Sequence, residues 1–327
     1  RSGSLIHPVT LGRYPAKITA LKNTKRNVMR AFLRLFISVV LIFLSVLIVG
    51  SLPELLAIRQ GHIIMALREP AVSLSRYFSA LVSGDALEYT AGDRVLSLAE
   101  TLPAYFTTSL FYTASASFIA LVMGLLLGMS AARKRRKWSS ALLIYLGNIP
   151  DFVLIFVLQL AVIGITGATG VSIARVASSG ANSAVLLPLI AMTFFPHVYI
   201  MQIVIQALNR LRGEYYVLNV KARGFTDGYI FFRHILPGIL VKLKEELPKI
   251  IGFSMANLFI TERLFNIPGI TRLLFTYGFM SQGFNRLAGY QYGLVVNCLL
   301  TLILLFFFVY ASFRLLLGGV IRAVCHE

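Results

Sequence analysis

Two stretches of this chain, residues 105–132 and 294–313, contain no Asp, Glu, Lys or Arg over 28 and 20 consecutive residues. About 18 such residues are enough for a helix to cross a hydrocarbon layer roughly 30 Å thick. Hydrocarbon offers backbone N–H and C=O groups no partners, so segments of this length must satisfy them internally, as helices. A membrane barrel would show short alternating segments instead. Composition agrees: 57% of the residues are hydrophobic and 13% charged, proportions that exclude an ordinary soluble protein of this length. The fold class is therefore all-α, a polytopic membrane protein.

The apolar pattern predicts six spans, at about residues 32–50, 107–129, 139–163, 186–208, 247–265 and 294–317. The fifth is the least apolar, because Lys249, Glu262 and Arg263 leave only a short uncharged centre. Lys and Arg are retained on the cytoplasmic side of spanning helices. Residues 1–30, 131–138, 208–246 and 314–327 together hold 21 of them, whereas the alternate segments 51–106, 164–185 and 266–293 hold 7. Both termini are thereby expected in the cytoplasm, with a large outer loop at 51–106 and a cytoplasmic loop at 209–246. Residues 1–30 read as a basic leader ahead of a transmembrane domain at 31–327. Met29, directly before the first apolar run, is a candidate natural start, and residues 32–50 read as a retained span, not a cleaved signal.

The net charge of +18 follows from this topology and not from a nucleic-acid site, which needs a basic face on a soluble module. The run Arg133-Lys134-Arg135-Arg136-Lys137 is accordingly an orientation signal. Cys298 and Cys325 supply neither a disulfide framework nor metal-ligand spacing. No Gly-x-x-x-x-Gly-Lys-Ser/Thr, His-Glu-x-x-His or Gly-x-Ser-x-Gly occurs, so neither a nucleotide-cradling loop nor a metalloprotease or serine-hydrolase motif is present.

Function is best sought in the loop 209–246, which is polar yet patterned. Glu214 to Arg223 is rich in helix formers, and Gly224 supplies the left-handed residue that ends a helix. Thr226 is a candidate N-cap for a second short helix reaching Leu236, with Pro237 expected to close it.

Gly224 followed twelve residues later by Leu236-Pro237, within Glu214-Tyr-Tyr-Val-Leu-Asn-Val-Lys-Ala-Arg-Gly224-Phe and Arg233-His-Ile-Leu-Pro237, resembles the cytoplasmic coupling loop of ABC importer permeases, in their oligopeptide, dipeptide and nickel branch. In the wider superfamily the loop begins Glu-Ala-Ala, where this chain has Leu218, Asn219 and Val220. The stretch Glu262-Arg-Leu-Phe-Asn-Ile-Pro-Gly269 is similar to that family's segment after the fifth span. The resemblance implies a type I importer permease fold in a bacterial inner membrane, one half of a pore completed by a second homologous permease. It further implies two ATPase subunits that bind ATP and Mg, none in this chain, and an external solute-binding protein.

The same resemblance implies that short loop helices seat on an ATPase as stiff levers, through Glu214, Lys221, Ala222, Arg223, Gly224, Phe225, Tyr229, Arg233, Leu236 and Pro237. Peptides are the expected cargo, with nickel or a metal chelate as the alternative in the same family and an ion-coupled carrier as a second class. Asp151 and Glu262, ionisable groups at membrane depth, are candidates for the translocation path. His197, after Pro196, has no second His at ligand spacing and reads as structural, and Gly124 with Gly128 forms a small-xxx-small packing pair.

Overall fold

The computed structural model describes residues 15–59, 62–133, 145, 147, 149–180, 182–279 and 289–326. Helix α1 (Pro15–Ser51) runs unbroken through residue 30, so residues 15–30 share one helix with the first span. A lobe follows in the segment expected to form the outer loop. After a 3-10 turn come a hairpin of β1 (Leu56–Arg59) and β2 (His62–Met65), helix α2 (Glu69–Ser83), and a hairpin of β3 (Glu88–Ala91) and β4 (Arg94–Ser97). Both hairpins are antiparallel, Leu56 lying opposite Met65 and Glu88 opposite Ser97. The rest is helical: α3 (Leu98–Arg133), α4 (Asp151–Thr169), α5 (Leu186–Arg212), α6 (Tyr215–Ala222), α7 (Asp227–Ile230), a π-turn (Phe231–Ile235), α8 (Leu236–Leu264), α9 (Ile270–Tyr277) and α10 (Tyr292–His326).

Among the described residues five helices are long and apolar enough to cross a membrane: Phe36–Leu55, Leu98–Ala132, Asp151–Thr169, Leu186–Arg212 and Tyr292–Val324. The expected span at 107–129 therefore begins earlier, with Pro103 accommodated near the helix start. The expected span at 139–163 is cut at Pro150, whose extended conformation (ψ 138°) precedes a helix that starts at Asp151; residues 139–144 lie outside the described ones. That helix ends where Gly170 takes φ 72° and its N–H donates to Thr166 O.

The expected fifth span is part of α8, which carries Lys242, Lys244, Glu245, Glu246 and Lys249 and does not meet the apolar criterion. The reason is position. Ile239, Leu243, Leu247, Ile250, Ile251 and Leu258 are completely or almost completely buried, because α8 packs against α3, α5 and α10. Hydropathy reads exposure to lipid, and a helix sheathed by other helices escapes that requirement.

The tightest helix pair is α3 with α5, and the reason is legible in two glycines. A Cβ at Gly124 would lie 2.7 Å from Ile200 Cβ, and one at Gly128 2.8 Å from Val204 Cβ. Small residues let two backbones approach; the small-xxx-small pair is thus an intramolecular contact.

Helix α1 and the outer lobe are pinned to the start of α10. Val46 and Leu47 pack with Tyr77, Ala86, Tyr292 and Val296. Tyr77 Oη donates to Asn297 Oδ1 at 2.8 Å, and Asn297 Nδ2 donates to Ala86 O at 2.7 Å. Gln291 pairs with both backbone groups of Thr90, and Tyr290 Oη donates to Gly50 O. Burial pushes the Tyr77 and Tyr290 phenols up from their ordinary range, so both stay protonated donors at physiological pH.

Gly124→Val is expected to destabilise the fold by about 1–3 kcal/mol through overpacking, read as a lower melting temperature in detergent. Gly164→Val, where a Cβ meets nothing within 4 Å, is the control expected to stay near the parent value.

Candidate functional site

Helix α6 begins at Glu214, whose extended backbone occupies the N-cap position and whose carboxylate reaches Arg210 Nε at 3.6 Å. This exposed i,i+4 pair contributes little to stability. At the other end of α6 Arg223 N–H donates to Asn219 O and Gly224 N–H to Lys221 O, with Gly224 at φ 82°. An L-residue with a side chain is strained in that conformation, so glycine permits the reversal. Thr226 caps the next helix, its Oγ1 accepting from Tyr229 N–H at 3.4 Å, and Asp227 lies 3.7 Å from Lys221 Nζ across the turn.

The two short helices hold one another through aromatics. Phe225 and Tyr229 stack with centroids 4.9 Å apart, Tyr229 meets His234 edge-on at 5.8 Å, and Tyr216 Oη donates to His234 O. Ile230 and Ile235 are buried beneath, while Lys221, Arg223, Phe225, Tyr229, Phe232 and Arg233 are exposed. An exposed surface of aromatics ringed by cations suits a protein partner with apolar pockets and acidic groups.

Pro237 does not close this element. Leu236 N–H reaches back five residues to Phe231 O, and α8 starts directly with Pro237 in its first turn. Proline is tolerated there because first-turn N–H groups have no intrahelical acceptor. The loop and α8 are thus a single continuous helical path from Asp227 to Leu264, broken in register only by the π-turn. Its base is braced: Gly238 sits where a Cβ would come 2.9 Å from Leu211 Cδ1, and Tyr199 Oη donates to Glu246 Oε2 at 3.0 Å. Lys242 and Lys249 flank the same carboxylate at 3.2 and 3.1 Å. Tyr199, Gln206, Arg210, Glu214, Lys242 and Glu246 line a groove of about 400 Å³.

The far end of α8 is locked. Glu262 is completely buried. Its Oε1 accepts from Ser109 Oγ at 2.5 Å, and its Oε2 accepts from Thr271 N at 2.8 Å, Thr271 Oγ1 at 2.5 Å and Arg272 N at 3.2 Å. Ser109 Oγ in turn accepts from Ile270 N at 2.9 Å. These N–H groups belong to the first turn of α9, whose N-cap residue Gly269 has no side chain to offer. Glu262 therefore caps α9 from outside that helix, where the dipole favours an acceptor-only carboxylate. A Cβ at Gly269 would overlap that carboxylate. Asn266 at φ 55° makes the connecting turn and anchors it by donating to Ser178 O.

The stretch 120–322 matches the family described as the binding-protein-dependent transport system inner membrane component. The chain belongs to that family. This inner-membrane component is 22% identical over 191 residues to the dipeptide transport system permease protein DppB of Lactococcus lactis subsp. cremoris (strain MG1363). That match covers 57% of this chain and 60% of the relative's length. The chain is also similar, at 18% identity and TM-score 0.47, to a chain from inward-facing structures of the MetNI methionine ABC transporter, over 69% of this chain and 97% of that one.

Family members are membrane permeases of ABC importers, and the two ionisable path candidates sit differently in this one. Asp151 occupies the first turn of α4, half-buried; Asn148, its nearest polar neighbour in sequence, lies outside the described residues. Glu262 is withdrawn into the interior, and the ionisable group beside it that faces open space is Arg263. Arg263 lines a groove of about 640 Å³ with Phe152, Phe156, Phe259 and Phe275. His197 hydrogen-bonds to the backbone of Phe194 and Thr193 and packs edge-on to Phe194. Sequence reading did not single out Ser109, Thr271, Tyr199 or Glu246. The bonds Thr271–Glu262, Tyr199–Glu246 and Ser109–Glu262 span from nine to 153 residues, and no local rule reaches that far.

Glu262→Gln is expected to lower stability by about 1–3 kcal/mol, since a neutral amide gives up the charge-assisted bonds of the carboxylate and its NH₂ group cannot accept from the α9 N–H groups. A melting temperature in detergent equal to the parent's would contradict this account of the lock.

Proposed function

We propose that this permease imports di- or oligopeptides, forming half of a translocation pore and taking its drive from separate ATPase subunits. The observation that carries the mechanical part is the unbroken path from the exposed α6–α7 element through the π-turn into α8. A force applied at Phe225, Tyr229 and Arg233 enters the helix that runs through the core to Glu262. Two short helices alone would be a loop; joined to α8 they are a lever.

In this reading α6, α7 and the π-turn seat in a groove of an ATPase subunit, with Phe225 and Tyr229 as apolar anchors. Lys221, Arg223 and Arg233 pair with acidic groups, and Glu214, Ala222, Leu236 and Pro237 set the shape of the element. Two such ATPases bind ATP and Mg, a second homologous permease completes the pore, and an external solute-binding protein delivers cargo. Both termini and the α6–α7 element lie on the cytoplasmic side of the inner membrane, as the Lys and Arg distribution indicates. ATP binding shifts the inward-facing and outward-facing populations. The peptide assignment is supported by the Gly224 to Pro237 pattern and by the likeness to a dipeptide permease.

Two outcomes test the lever. Tyr229→Ala is expected to weaken retention of the ATPase about tenfold or more, as a truncated aromatic anchor does, measured by quantitative co-purification. Gly224→Val should leave membrane insertion intact while ATP-driven peptide uptake in proteoliposomes falls, because a β-branched residue is strained at φ 82°. Full uptake in that variant, or labelling of the α6–α7 element from the outer face, would overturn the proposal.

A further inference from the structure

Helix α8 stops at the middle of the membrane. At its last residue, Leu264 O accepts from Gln159 Nε2 at 3.5 Å, and the same amide donates to Val176 O at 3.1 Å. Gln159 is ten residues short of the end of α4 at Thr169, about 15 Å along a helix that rises 1.5 Å per residue. Ser109, which bonds Glu262, is eleven residues past the start of α3 at Leu98, about 16 Å by the same rise. Two spans therefore agree in placing the end of α8 near the midplane of a hydrocarbon layer roughly 30 Å thick. Non-helical backbone at that depth, as between Phe265 and Gly269, is tolerated only inside protein or along a water-filled cavity.

Arg263 stands at this level. It is exposed, and its guanidinium makes no hydrogen bond or ion pair among the described residues, whereas Arg272 donates to Asn266 O at 3.0 Å. A free guanidinium facing hydrocarbon is costly, and ionisable groups at membrane depth mark ligand pathways. Lipid phosphates lie at the surface, about 15 Å from the midplane. Around Arg263 the groove of about 640 Å³ is walled by Phe152 and Phe156 of α4, Phe259 of α8 and Phe275 of α9. Phe259 and Phe275 meet edge-on at 6.2 Å, and Phe152, Phe156 and Phe275 are exposed. One unpartnered cation among four phenyl rings fits a ligand that carries a carboxylate beside an apolar side chain. The planar fork of the guanidinium matches a carboxylate, and the rings offer the apolar group a large contact area.

We propose that Arg263 receives the C-terminal carboxylate of a peptide in transit, with the adjoining side chain held among Phe152, Phe156, Phe259 and Phe275. The proposal rests on the reading of this permease as a peptide importer and adds a preference to it: peptides ending in a free, apolar residue are carried best.

The test is ATP-driven uptake by the complete transporter in proteoliposomes, with its solute-binding protein, of Ala-Phe, Ala-Phe amide and Glu-Phe amide. The parent is expected to carry Ala-Phe several-fold faster than either amide. In Arg263→Gln the uptake of Ala-Phe should fall to the rate of its amide, with the amides little changed, while Arg263→Lys keeps part of the difference. A preference that persists undiminished in Arg263→Gln belongs to the binding protein and overturns the site, as does its absence from the parent. An equal fall for all three peptides, the outcome if Arg263 pairs with an acid of the second permease, also overturns it. Free-acid rates for Glu-Phe amide, whose one carboxylate is a side chain, overturn the assignment to the terminus. Phe156→Ala is expected to slow Ala-Phe several-fold more than Ala-Gly, and an equal effect on both overturns the aromatic pocket. The melting temperature of Arg263→Gln in detergent should match the parent's; a drop would mark the residue as structural and overturn its role in binding. A parent complex that takes up no peptide refutes the function proposed above, whereas one that takes up peptides and fails these comparisons refutes the Arg263 site alone.

Discussion

The carboxylate of Glu262 is the contact on which the arrangement of this permease turns. It lies where three elements meet: it ends α8, caps α9 and holds Ser109 of α3. A buried carboxylate is tolerated only when its lone pairs are taken up, and here four donors converge on it. Helix α8 thereby has one fixed end. On the lever reading proposed above, a free end would let motion at the α6–α7 element dissipate in tilting of α8 instead of passing to the helices packed against it.

Fixity at one end gives meaning to continuity at the other. A helix normally ends where a proline follows an ordered turn, but Pro237 falls in the first turn of α8, where its missing N–H removes nothing. The π-turn at Phe231–Ile235 absorbs the mismatch by letting Leu236 N–H reach Phe231 O. Such turns recur at functional sites because they re-aim a helix without interrupting it. Exposed Tyr229, Phe232 and Arg233 are thus mounted on the same rod as the buried Glu262.

How far this was legible in sequence depended on whether the deciding force was local. The left-handed Gly224, the Thr226 cap and the close approach at Gly124 and Gly128 are set by one or two residues, and each stands where the sequence pointed. The spans at 32–50, 186–208 and 294–317 were readable because lipid-facing helices announce themselves by hydropathy. Helix α8 was the weakest of the six for the converse reason: sheathed by α3, α5 and α10, it is free to carry Lys and Glu in its N-terminal half. The outer-lobe hairpins are four residues per strand, too short for an alternating period to emerge. The expectation for Glu262 came from a lone acid at membrane depth, whereas the helix N-terminus that it caps is brought to it only by the fold.

The two ends of the molecule are held by different physics. At the start of α10, Tyr77, Tyr290, Tyr292, Gln291 and Asn297 tie α1 and the lobe to α10 through hydrogen bonds that close on backbone groups or on one another. Such bonds are directional and shielded, so they fix geometry. At the base of the lever, Glu246 with Lys242, Lys249 and Tyr199 forms a charged cluster open to solvent, where screening makes each ion pair weak and replaceable. A directional frame at one end and an exchangeable charged brace at the other suit the lever proposed for α8, because contacts at the brace can re-form while α1, the lobe and α10 hold their arrangement.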